Sequence, residues 1–279
     1  MHGLLAIDID GTLTAEREKL SCEVVDYVAS LVKEGWKCLF VTGRTVEWSL
    51  HLLEKLPFSY TLAAFNGAYT MQMPQKAVID VCLCPCSLLE PVGELLKQAD
   101  TALVIYGEPN REAHSLYFKK RASRQLDSHL KRRFEVLREE WVDLEELSQI
   151  AFSQFIALRA FCHPEVARAL SAEIEALASV HAPVMTDSYD SRFSIIQVTN
   201  AEASKGHALA ATFQRLGKRG KVIACGDDYN DIPMLQRADC RVVMATAPAE
   251  VLSLADIIAP PAGELGIIEG LRQAIDKTT

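Results

Sequence analysis

No apolar run in this chain approaches the roughly 20 residues that a membrane-spanning helix needs, so no membrane association is expected. The chain also does not open like a secretory precursor. Met1-His2-Gly3-Leu4-Leu5-Ala6-Ile7 leads straight to Asp8, with no basic segment and no long apolar stretch behind it, and the cytoplasm is the expected compartment. Surplus positive charge is missing as well. Lys and Arg number 29 against 37 Asp and Glu, a formal net charge of −8. That balance argues against nucleic acid as the main partner, because phosphate-backbone binding is driven by Lys and Arg. Internal repeats and low-complexity linkers are absent. Paired cysteine spacing is absent too: Cys82, Cys84 and Cys86 form a C-x-C-x-C run broken by Pro85, and Cys22, Cys38, Cys162, Cys225 and Cys240 are scattered. Zinc sites favour pairs two to four residues apart with a second pair elsewhere. Reduced thiols packed as small apolar side chains are therefore expected.

The 279 residues give room for two packed units. Leu4–Ile9 reads as a buried strand stopped by Asp-Gly-Thr, and Ser21–Lys33 as a helix closed by Gly35. Lys37–Thr42, Val46–Leu56 and Leu62–Phe65 continue the alternation as strand, helix and strand, the signature of a parallel α/β sheet. The rhythm changes after Asn66-Gly67. Strands are expected near 77–83, 102–106, 115–118, 155–161, 184–187 and 193–198, with helices over 88–99, 121–133 and 164–178. The first rhythm resumes at the Ser204–Leu216 helix, the Lys221–Cys225 strand and the elements after it. The expectation is a parallel α/β core formed by 1–80 and 199–279, with an α+β domain inserted over 81–198. Met71–Pro74 and Asn200–Ala203 are the expected hinges between them.

Ligands of open α/β sheets sit beyond the carboxyl ends of the strands. Those ends read Asp8-Ile9-Asp10-Gly11-Thr12, Val41-Thr42-Gly43-Arg44 and Gly226-Asp227-Asp228-Tyr229-Asn230-Asp231, with Lys205 opening the helix between the last two. Alternation along an extended chain puts Asp8 and Asp10 on one side. Two carboxylates about 4 Å apart repel by roughly 4 kcal/mol at an effective dielectric of 20. Asp227 adds a third, and such a cluster calls for a hard divalent cation, Mg²⁺ by the chemistry of oxygen ligands. Asp8 is then placed to attack phosphorus, and Asp10 to protonate the leaving oxygen and later activate water. Thr42 and Lys205 suit the equatorial oxygens, and Gly11 permits close backbone approach.

At these residues the chain resembles the haloacid dehalogenase superfamily. Asp8-Ile9-Asp10-Gly11-Thr12-Leu13 is similar to its first motif, Thr42 to the second, Lys205 to the third, and Gly226-Asp227-Asp228-Tyr229-Asn230-Asp231 to the fourth, in family order. The resemblance implies a phosphatase with a Rossmann-like core and an inserted cap, with Asp8 as nucleophile and Asp10 as acid/base. It implies Mg²⁺ held by Asp8, the Asp10 carbonyl and Asp227, with Asp231 and Asn230 in support and Asp228 less fixed. The insertion resembles the larger α/β cap of Cof-like phosphatases, whose relatives act on small phosphorylated metabolites such as sugar phosphates. Gly43, Arg44 and Asn66 join Gly11, Thr42 and Lys205 as expected substrate contacts, although Asn66 also reads as a turn residue before Gly67. The family often carries Pro and Gly before its Ser-Lys-Gly, where this chain has Asn200, Ala201, Glu202 and Ala203; that leaves the catalytic set intact and blurs the subfamily.

Two rivals share the chemistry. A phosphomutase returns the phosphoryl group to a second position of the substrate, and a non-hydrolytic regulator keeps it on the aspartate. Arg111–Arg138 is locally basic and has three readings: a solvated helix face, attraction of anionic substrate, or contact with nucleic acid. Oligomeric state is not legible.

Overall fold

The computed structural model describes residues 2–16, 19–97, 99–107, 122–137, 141–187 and 189–278, together with the backbone of 115–118. Contacts divide the chain into two units, Met1–Val81 with Ser204–Thr279, and Cys82–Ala203.

The first unit is built on one eight-stranded sheet. Its early elements are β1 (Gly3–Asp8), α1 (Cys22–Glu34), β2 (Trp36–Val41), α2 (Val46–Leu53), β3 (Tyr60–Ala64), β4 (Tyr69–Met73) and β5 (Ala77–Val81). The strand order is Ile257–Ala259, Cys240–Met244, Lys221–Gly226, β1, β2, β3, β4, β5. The first six run parallel, and β4 and β5 are antiparallel additions at one edge. β1 is buried at every position, the pattern of a central parallel strand covered on both faces. Its flanks are β2 and Lys221–Gly226, so the carboxyl ends of the first and last motif-bearing strands are neighbours. On one face, Leu4, Ala6, Leu39, Val41 and Ala63 pack with Ala208 and Leu209 of the Lys205–Arg215 helix and with Met234 and Leu235. Helix ends follow local chemistry. Ser21 Oγ accepts from the Glu23 N–H to start α1, and Gly35, at φ 108°, closes it.

The second unit is a mostly antiparallel sheet in the order Val180–His181, Ser194–Asn200, Ala157–Cys162, Ala102–Tyr106, Ser115–Phe118, Val142–Leu144, of which the last pair is parallel. Leu158, Ala160 and Cys162 face a core with Leu89, Val92 and Leu96 of one helix and Ala167, Leu170 and Ile174 of another. Phe161 alternates to the opposite face, where the Arg133 guanidinium lies 5.5 Å from its ring.

Three expectations need correction. Tyr69–Met73 is a core strand paired on both sides, so Met71–Pro74 is no hinge; Met71 and Met73 are buried in the sheet. The units meet in sequence at 81/82 and 203/204 rather than at 80/81 and 198/199, because Ser194–Asn200 is one strand of the second sheet and pairs along its whole length there. Of the three readings of the basic stretch, the solvated face does not extend to Arg133. Arg133 is buried and its Nη1 bonds both oxygens of Asp187 at 2.9 and 3.1 Å. Arg111, Lys119, Lys120, Arg121 and Arg138 lie outside the described residues.

Candidate active site

Asp8 ends β1 and is 4% exposed. A buried carboxylate needs a counter-charge, and Lys205 supplies it. Ser204 caps the Lys205–Arg215 helix, its side chain accepting from the His207 N–H, which sets Lys205 at the first helical position. From there Lys205 Nζ reaches Asp8 Oδ1 at 2.5 Å and Asp231 Oδ1 at 2.7 Å. The other Asp231 oxygen accepts from the backbone N–H groups of Asp227 and Asp228 at 2.9 and 3.0 Å. Both oxygens of this fully buried residue are therefore engaged, and Asp231 acts as a strut between the fourth-motif turn and the lysine. Asp227 is steadied by Thr12, whose Oγ1 donates to Oδ1 at 3.0 Å.

Asp8, Asp227 and Asp231 each present an oxygen within 4.8 Å of the others. With all three carboxylates ionised, the one ammonium would leave a surplus of two negative charges. Burial, followed by the neighbouring carboxylates, pushes the Asp8 carboxyl well above the usual range, though Lys205 pulls it the other way. Burial and Asp231 push Asp227 up to about 6. Burial disfavours the Lys205 charge, but Asp231 and Asp8 outweigh it and hold its pKa above that of an ordinary lysine.

Asp10 departs from the expected arrangement. Alternation does not carry past Asp8, because β1 stops there and the Leu13 N–H bonds back to the Asp8 and Ile9 carbonyls, turning the chain. The Asp10 carboxylate points into an ion pair with Arg44 and is not one of the three clustered acids. Arg44, expected as a substrate contact, directs Nε and Nη2 to Asp10. Gly11 sits at φ +84°, and a Cβ there would lie 2.2 Å from Asp227 Oδ2, so only glycine allows this approach.

Thr42, 1% exposed, accepts the Arg44 N–H on Oγ1 at 3.1 Å, and its carbonyl accepts the Asn66 N–H at 2.8 Å. Asn66 adopts a left-handed conformation, φ 55°, and its Oδ1 accepts from Asn230 Nδ2 at 3.0 Å. Gly43 lies beneath the Asn66 amide. Asn66 and Asn230 thus tie the second- and fourth-motif loops together, while exposed Asp228 caps its own turn through the Tyr229 N–H. Thr12 and Trp48 carried no assigned role in the sequence reading. Thr12 was within reach as part of the first motif; Trp48, against which Arg44 stacks at 4.1 Å, gave no signal.

This constellation, acids and a lysine gathered at the carboxyl edge of a parallel sheet, defines a class of hydrolase. Residues 5–271 match the haloacid dehalogenase-like hydrolase family, and the chain belongs to it. Phosphoglycolate phosphatase of Methanothermobacter thermautotrophicus is 24% identical over 270 residues, covering 96% of this chain and 97% of its own. In fold the chain is similar to a HAD-superfamily phosphatase from Bacteroides thetaiotaomicron (TM-score 0.74, 23% identity, 98% and 95% of the two chains). It is equally similar to the HAD subclass IIB sugar phosphatase BT4131 (TM-score 0.73, 18% identity, 98% of each chain).

Proposed function

We propose that the protein is a Mg²⁺-dependent phosphomonoesterase that acts through a phosphoryl-aspartate on Asp8. The observation that carries this reading is the buried Asp8–Lys205–Asp231 chain beside Asp227, with its surplus of two negative charges. Hard oxygen donors and that surplus fit a divalent cation, held by Asp8 and Asp227 with Asp231 behind them. When bound, Mg²⁺ would neutralise the acids and polarise a phosphate oxygen.

The chain's own groups account for the rest. An Asp8 oxygen attacks phosphorus while the bond to the leaving oxygen breaks, and Asp10 delivers the proton that oxygen needs. Asp10, now a carboxylate, takes a proton from water as the water attacks phosphorus, which frees Asp8 and releases inorganic phosphate. Lys205, kept protonated by its two carboxylates, offsets the charge spreading over the equatorial oxygens. Thr42 and the Asn66–Asn230 bridge fix the loops around them.

The substrate class is a small phosphorylated metabolite such as a sugar phosphate; the phosphoglycolate and sugar phosphatases among the relatives support that range. Work in the cytoplasm is consistent with eight free cysteines. The test is phosphate release from an aryl phosphate and from a panel of phosphorylated metabolites. Asp8→Asn should abolish release, EDTA should abolish it reversibly, and rapid acid quench should trap an acyl phosphate on the wild type alone. Full activity in Asp8→Asn or in EDTA would end the proposal. Accumulation of an isomer in place of free phosphate would favour a mutase.

A further inference from the structure

Arg44 is 1% exposed, yet the acid it serves, Asp10, has a side chain 46% exposed. Nε donates to Asp10 Oδ2 at 2.8 Å and Nη2 to Oδ1 at 2.5 Å, so two parallel bonds define the plane of the carboxylate. The guanidinium carbon lies 4.1 Å from the centroid of the Trp48 ring, one helical turn further along the chain. The main chain is pinned at both ends: the Arg44 N–H donates to Thr42 Oγ1, and its carbonyl accepts the Phe65 N–H at 2.9 Å. Nη1 is buried and makes no hydrogen bond. Among the described residues Asp10 is the only acid paired with Arg44, and Arg44 the only cation paired with Asp10.

From this geometry we infer that Arg44 is a positioning residue: a rigid, inward-facing cation that fixes the orientation of the Asp10 carboxylate. The inference rests on the phosphatase reading, in which Asp10 moves the proton. A carboxylate after a turn, nearly half exposed, has freedom at both side-chain torsions; a bidentate guanidinium backed by an aromatic face removes it. Use of Nε or Nη2 of Arg44 as a phosphate contact would require breaking the bidentate pair with Asp10. Lysine cannot replace it, since one ammonium cannot hold both oxygens in a plane.

Leaving-group chemistry separates these possibilities. A nitrophenolate departs with little need of a proton, whereas an alkoxide requires one. If Arg44 works through Asp10, Arg44→Gln should lower kcat on an alkyl phosphate by about 100-fold and on 4-nitrophenyl phosphate by only a few-fold, with KM nearly unchanged. Arg44→Lys should be intermediate and is the variant to read if Arg44→Gln does not fold, as judged by circular dichroism. Asp10→Asn should show the same leaving-group pattern, and the Asp10→Asn/Arg44→Gln double variant should be no slower than Asp10→Asn alone. An equal loss on both substrates, a loss confined to KM, or additive losses in the double variant would overturn the positioning role while leaving the phosphatase reading standing. Full activity of Asp10→Asn on the alkyl phosphate would instead remove the acid/base role of Asp10, and this inference with it.

Discussion

At the scale of single residues, Asp8, the proposed nucleophile, sits in surroundings that disfavour its own charge. Asp8 is buried beside Asp227 and Asp231, and one lysine serves two of the three acids. Replacing Asp8 with asparagine keeps the shape, removes one repelling charge and leaves Lys205 paired with Asp231. In EDTA, Asp8→Asn should therefore melt higher than the wild type, by roughly 2–4 °C if the gain is about 1 kcal/mol, although it is inactive. Differential scanning calorimetry checks this, and a lower melting temperature would mean that the Asp8–Lys205 pair outweighs the repulsion. That Asp8, Asp227 and Lys205 gather at one sheet edge could be anticipated because the four motifs stand in order at strand and helix termini, and four polar side chains after the Lys221–Gly226 strand exceed what a turn requires. The pairing of Arg44 with Asp10 was not legible, since nothing local announces a pairing across 34 positions of sequence. The burial of Arg133 was not legible for a similar reason: its partner Asp187 lies 54 residues away.

At the scale of elements, the Phe65–Gly67 turn supports the start of the Lys205–Arg215 helix. Gly67 has φ +97°, and a Cβ there would lie 2.4 Å from the Ser204 carbonyl oxygen. Gly67→Ala must therefore both strain the turn and push on the residue that caps the lysine-bearing helix. The expected outcome is a loss of about 2 kcal/mol or more in urea unfolding together with a fall in kcat. Unchanged stability with unchanged kcat would show that the contact relaxes freely. The parallel strands and their helices could be read from the sequence, because apolar runs and glycine stops mark them. The β4 strand could not: Tyr69–Met73 lacks a run of β-branched residues, and only its pairing with β3 and β5 makes it a strand. Short strands such as Val180–His181 likewise exist only through their partner.

At the scale of the whole molecule, the proposed divalent cation would compete with protons for the same carboxylates. Asp227 titrates at about 6 because of its burial, above its ordinary value of 3.8. An acid whose folded value is raised contributes stability below its unfolded value, and that contribution disappears as pH rises through about 6. Cation binding requires the ionised form, so the rise in melting temperature produced by Mg²⁺ should be small at pH 5 and grow toward pH 7. A shift independent of pH would place the cation elsewhere. Thiol chemistry offers a second global test. Burial pushes Cys38 and Cys84 up to about 12 and Cys162 up to about 11, and only Cys22 is exposed. At pH 8 a disulfide reagent should modify the native protein rapidly at Cys22, and the buried thiols only on unfolding.

The position of β1 between β2 and the Lys221–Gly226 strand has a consequence for biosynthesis. A ribosome that has made Asp8, Asp10 and Thr42 must still translate all of Cys82–Ala203 before Lys205 and Asp227 exist. One side of β1 has no strand to pair with throughout that interval, while the second unit, contiguous in sequence, emerges complete. The nascent chain thus carries the proposed nucleophile, Asp8, through the whole of that interval, and the site is complete only once Lys205 and Asp227 have been added.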